Sequence, residues 1–195
     1  SDLWRWDSTN TQTLLALEPV WTGGTNHQWS TSAADANWIG TNPWTNTHTR
    51  TFSFHVTFNL PTPAAINVQN NIDAGSITFS TGGWNLNAGG GVLAFGATGA
   101  MAITTTTGTD TISAVIADGS TFGSGGGATS LTKSGAGVLA LDAANNYTGS
   151  TTLTQGTILA NNTTGSATGT GNVTLNGGTL GGSGIITGYV LAGAA

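Results

Sequence analysis

The chain has 195 residues, enough for one or two domains with a substantial core. Charged residues make up only 6% of it, 37% are hydrophobic and 31 residues are Gly, so its surface must be covered largely by hydroxyls and amides. The net charge is −5 with Arg5, Arg50 and Lys133 as the cations, which leaves no basic patch for a nucleic acid. The absence of Cys excludes disulfides, thiolate metal sites and thiol nucleophiles, and no apolar run is long enough for a membrane-spanning helix.

Residues 1 to about 60 differ from the rest: they hold six of the seven Trp and all three His. LWRW (3–6) and TLLALEPV (13–20) read as two short strands forming an N-terminal arm over 1–20. SDLWRWD lacks the basic region and apolar core of a signal peptide, so in an exported protein Ser1 would already be the mature end. A Trp-rich cap over 21–63 follows, with Trp21, Trp29, Trp38 and Trp44 among Gly and Asn. RTFSFHVTFNL (50–60) alternates, with Phe52, Phe54, Val56 and Phe58 on one face, and reads as a half-buried strand of antiparallel or edge type. Pro61 and Pro63 mark the boundary with the remainder, 64–195.

From Ile66 onward candidate strands recur at short, regular intervals: INV, SITFS, WNLN, GVLAF, AMAIT, TISAVI, SLTK, GVLALD, TTLT, TILA, NVTLN, TLG and GIIT. No helical periodicity interrupts them. Leu131, Leu153 and Leu175 are evenly spaced, and Leu139, Leu159 and Leu180 follow at almost the same interval. A period of about 20–22 residues is the mark of a coil that stacks on copies of itself. About 21 residues hold three short strands and three turns, each strand pairing with its equivalent one coil away at about 4.8 Å. Residues 66–191 then make roughly six coils, a column about 30 Å tall. Inward Leu, Ile, Val and Phe, including Leu141, would form apolar ladders, and outward Thr would stack on Thr. Stacked like charges would repel, which accounts for the scarcity of Lys and Glu. Gly serves the corners, and Asn145, Asn146, Asn161 and Asn162 suit them too.

The run LTKSGAGVLALDAANNYTGSTTLTQGTILA (131–160) resembles the autotransporter-associated β-strand repeat, whose pattern reads roughly LTKxGxGxLxLxxxNxYTGxTTxxxGxL. Leu131, Thr132, Lys133, Gly135, Gly137, Leu139, Leu141, Asn145, Tyr147, Thr148, Gly149, Thr151, Thr152, Gly156 and Leu159 carry the likeness. With its flanks the resemblance covers about Ile66 to Gly188. It implies a right-handed parallel β-helix in a secreted bacterial surface protein, and no particular activity.

Chemistry is sparse. Parallel β-helix enzymes that cleave acidic polysaccharides need clustered carboxylates, whereas Asp2, Asp7, Glu18, Asp35, Asp73, Asp110, Asp118 and Asp142 are scattered with no DxD or DD. Asp110 and Asp118 could approach across a coil, yet each suits an ordinary strand-edge turn. His27, His48 and His55 lack metal-ligand spacing, and His55 on the polar face of its strand reads as solvated or hydrogen-bonded. Asn146, Asn161, Asn162 and Asn172 each begin an N-x-T triplet. No catalytic residue, cofactor or metal site is expected.

The C-terminal run GTLGGSGIITGYVLAGAA is apolar and uncharged, and reads as an open solenoid edge of the kind proteins normally cover. Ile185, Ile186, Tyr189, Val190 and Leu191 there, and Leu3, Trp4, Trp6, Leu14, Leu15 and Leu17 in the arm, are candidate assembly surfaces. The leading expectation is a secreted, extracellular structural protein that partners itself head-to-tail, a contact that does not close and so builds filaments. The alternative is a cell-surface adhesin that binds glycans through Trp21, Trp29, Trp38 and Trp44. Polysaccharide cleavage ranks third.

Overall fold

The computed structural model describes residues 28–29, 54–69, 72–95, 99–119 and 127–193. They form a parallel β-solenoid with no α-helix among the described residues. One face stacks β1 (Gln28–Trp29), β3 (Ala65–Val68), β5 (Asn85–Ala88), β8 (Thr109–Ile112), β11 (Val138–Leu141), β13 (Thr157–Ala160) and β15 (Thr179–Gly182), in that order. A second stacks β2 (Phe54–Phe58), β4 (Ile72–Phe79), β7 (Ala100–Thr105), β10 (Ser130–Ser134), β12 (Thr151–Leu153), β14 (Val173–Leu175) and β16 (Val190–Ala192). The first residues of β4 turn onto a third face with β6 (Val92–Phe95) and β9 (Val115–Asp118). Every pairing is parallel, because each strand meets the strand one coil away, never its chain neighbour.

The strand at 54–58 corrects the antiparallel half of its reading: β2 is a parallel rung under β4, with Val56 on Ile77 and Phe58 on Phe79, and among the described residues it pairs with β4 alone, at the edge. Alternation shows that one face is buried, not which partner buries it. Pairing with the solenoid therefore extends to the N-terminal side of Pro61 and Pro63. Trp21, Trp38, Trp44 and the arm residues Leu3, Trp4, Trp6, Leu14, Leu15 and Leu17 lie outside the described residues, and Trp29 is described only as backbone in β1.

The coils are less uniform than the leucine spacing suggests. Val56 meets Ile77, Ile77 meets Ile103, Ile103 meets Lys133, Lys133 meets Leu153 and Leu153 meets Leu175. The file ends with Leu175 on Ala192, and that shortest coil is little more than half as long as the longest, from Ile103 to Lys133, while the inner face keeps its register. TISAVI divides into β8 and β9, with the bend held by Ser113 N–H and Ala114 N–H, which both donate to Leu86 O at 2.9 Å.

Among the described residues the third face carries strands only up to β9. Beyond it the third side is irregular, and GIIT (184–187) is not a strand. Asn145 takes over the work of the ladder there. Its Oδ1 accepts from Ile116 N–H below at 2.8 Å, and its Nδ2 donates to Ala167 O above at 2.6 Å. Asn162 repeats the device, accepting from Ile185 N–H at 2.8 Å and donating to Thr164 O at 2.9 Å. Both are buried, and Asn162 bonds within its own turn as a corner Asn does. A carboxamide offers a donor and an acceptor at once, so it bridges coils where the backbone no longer runs extended.

The core begins with Phe58 stacked on Phe79 at 5.2 Å and tilted against Trp84 at 5.3 Å. It continues through Ile66, Leu86, Ile112 and Leu141 on one face and Met101 and Leu131 on another, all buried. Each such side chain contributes about 1.5–3 kcal/mol.

Candidate functional site

The inner groups of the 131–160 stretch are organised around Lys133. It faces inward in β10 between Ile103 and Leu153 and is fully buried. The ammonium donates to Ser134 O at 2.6 Å, Gly135 O at 2.8 Å and, one coil above, Gln155 O at 3.2 Å. Its three N–H groups are thereby matched to three carbonyls at the corner between β10 and β11, and they tie two coils together. Burial pulls its pKa from 10.5 down to about 8, partly opposed by the charge of Asp110.

The corner closes only because Gly is there. Gly156 has φ of +77°, and a Cβ on it would lie 2.3 Å from Gly135 O, 2.4 Å from Gly137 O and 2.9 Å from Lys133 Nζ.

Asp110, at the inner start of β8, accepts from Trp84 N–H at 3.1 Å, and Leu139 stacks above it. Tyr147 is fully buried; its hydroxyl meets Thr151 Oγ1 at 2.6 Å, and Thr151 Oγ1 donates onward to Thr168 O at 3.3 Å. Burial raises the Tyr147 pKa, against the pull of that hydrogen bond. Asp118, at the end of β9, accepts from Thr129 N–H, Thr148 N–H and Thr148 Oγ1 at 2.7, 3.0 and 2.7 Å. Burial raises its pKa, but these three donors outweigh burial and hold it below the ordinary carboxylate range. No hydrogen bond joins Asp110 to Asp118; each serves its own corner. Among the described residues no group of three His, Asp or Glu is placed to hold a metal. His55 is exposed, with Nδ1 at 2.5 Å from Ser76 Oγ.

Leu131, Leu139, Leu141 and Leu153 are buried, and Leu175 and Leu180 pack half-buried against the core. Leu159 is a correction. Ile158, not Leu159, stacks between Leu139 and Leu180, while Leu159 pairs with Ala140 and Gly181 on the outer face. Spacing by leucine alone missed the register by one residue, which turns a side chain to the opposite face. The alignment of Leu131 with Leu153 slips by two, since Leu131 meets Thr151 and Lys133 meets Leu153. Both residues still point inward, so the slip leaves no trace in the hydrophobic pattern. Ile185, Tyr189, Val190 and Leu191 are exposed, Tyr189 by 78%, and Ile186 packs half-buried on the core.

A parallel β-solenoid whose coils are bound together from within by buried polar groups is the class of fold these residues define. The family model of the Passenger-associated-transport-repeat matches residues 131–160, the stretch that holds Lys133, Asn145, Tyr147 and Gly156. The chain is also 33% identical over 128 residues, 65% of its length, to the Adhesin BmaC autotransporter of Brucella suis biovar 1 (strain 1330). It spans 3% of that protein's length. No solved structure matches the chain.

Proposed function

We propose that this chain is a structural, non-catalytic column segment of a secreted or cell-surface adhesin passenger. The observation that supports it most is the use made of the polar groups within the repeat. Lys133, Asn145 and Asn162 face inward or across coils and each holds one coil to the next, while Tyr147 meets Thr151 within its own coil and Thr151 carries the contact on to Thr168 of the next. A solenoid built this way is approximately a sum of coils and nearest-neighbour interfaces. A second copy of residues 151–172 inserted after Asn172 matches the register in which Thr151 pairs with Val173. The insertion is expected to fold with undiminished thermal stability by circular dichroism; an unfolded or markedly less stable product would contradict the column reading.

A second reading is end-to-end self-assembly into filaments, favoured by the exposed apolar row Ile185, Tyr189, Val190 and Leu191 on the outermost described coil. Another copy's coil seated there would cover the row and extend both sheets. Sedimentation velocity over a concentration series is expected to show growing species that Tyr189→Ser with Leu191→Ser reduces. A monomer at every concentration would remove this reading.

A further inference from the structure

We propose that the corner between β7 and β8 is an internal proton-binding site, at which Asp110 becomes a neutral acid under mildly acidic conditions and the column tightens as it does so. Asp110 sits in an inner file with Leu139, Ile158 and Leu180 above it. Its Oδ1 accepts from Trp84 N–H, but its enclosed Oδ2 has no hydrogen-bond partner. Thr105 Oγ1, at the other end of the same corner, is likewise buried and unpartnered.

The groups packed against Asp110 leave the anion poorly solvated. The turn before β5 presents the Gly83 and Trp84 N–H groups, and β11 presents apolar Leu139. The charged group facing it is Lys133 of β10, the one Lys or Arg among the described residues. Each N–H of that ammonium is matched to a carbonyl, at Ser134, Gly135 and Gln155. A buried carboxylate without enough donors favours its neutral form. Burial accordingly pushes the Asp110 pKa from 3.8 up to about 6, against the pull of the Trp84 and Gly83 N–H groups and of Lys133.

The sign of the linkage follows. With the folded pKa above the unfolded one, the native chain binds the proton more tightly. Stability therefore rises as pH falls through about 6 and levels off near the unfolded value of 3.8. Asp118 works in the opposite sense, but its contribution is lost only as pH falls below the unfolded carboxylate range, so it is constant above pH 5.

The test is thermal unfolding of the full chain from pH 7.5 to 5 beside Asp110→Asn, which imitates the neutral acid. Every other side chain is common to both chains, so the difference between the two curves isolates Asp110. The native chain is expected to gain roughly 2–6 °C in Tm relative to Asp110→Asn on acidification. Parallel curves would overturn the proposal. Should Asp110→Asn fail to fold, infrared titration of the native chain decides. A protonated-carboxyl band with a midpoint near 6 supports the site, and titration of every carboxyl near about 4 overturns it.

Discussion

Lys133→Met is expected to lower the unfolding free energy by about 3 kcal/mol at pH 7, the low end of the range for breaking a buried charged pair. Three carbonyls lose their donor, and Asp110 loses the one cation that faces it. Two effects restrain the loss: Met fills similar volume, and removing the ammonium also removes its desolvation cost. The carbonyls decide the balance, because a methyl group cannot satisfy them and the corner is only partly open to water. Adding Asp110→Asn, which imitates the neutral acid, should be more favourable in the Lys133→Met background than in the native chain, since the carboxylate there has lost the cation that faces it. A pH series gives an independent reading. The Lys133 pKa falls on folding from 10.5 to about 8, so the charged form is disfavoured in the native state. Stability should rise with pH from about 8 toward 9.5, before Tyr147, whose pKa folding raises, begins to oppose it. Lys133→Met should lack that rise. A variant within about 0.5 kcal/mol of the native chain, the ordinary range for surface substitutions, would show that the ammonium does not bind the coils together.

Gly156→Ala is expected to cost a similar amount, about 2–4 kcal/mol, from a left-handed backbone and overpacking together. The positive φ is one component; the other is the crowding of the new methyl by Gly135 O and Gly137 O. These are backbone atoms of the coil below and cannot rotate away, so the methyl must push the coils apart at the position Lys133 clamps. Gly127→Ala supplies the control, because nothing lies within 4 Å of its added Cβ and its φ is not in the left-handed range. Thermal melts should separate the two by roughly 4–16 °C, at 2–4 °C per kcal/mol for a chain of this size. Equal melting temperatures would mean that the corner between β10 and β11 is looser than described.

The architecture was legible in the sequence because stacking imposes a period, and short runs divided by Gly carry it whether or not each coil has the same length. The parallel sheets, the inward leucines of β10 and β11 and the hydrogen-bonded His55 follow from such patterns. Register was harder to read. A one-residue error at Leu159 and a two-residue slip at Leu131 both survive inspection by spacing. The coil from Lys133 to Leu153 is slightly shorter than the one from Leu153 to Leu175, and nothing local marks the difference. The polar interior was the least visible. Lys133 stands in the sequence as one Lys among Thr and Ser, and Asn145 as one more Asn near a Gly. What makes them internal is the coil above and below, which supplies carbonyls and N–H groups from far along the chain. No local window contains those partners. Asp110 was likewise read as an ordinary strand-edge carboxylate, because its burial depends on Leu139 in the following coil.

Small-angle X-ray scattering of the native chain beside the chain carrying a second copy of residues 151–172 tests the column most directly. One added coil should lengthen the particle by about 4.8 Å, the spacing of adjacent strands, and leave its cross-section unchanged. A wider cross-section at unchanged length would mean that the inserted residues loop out from the side, and that these coils do not stack as independent rungs.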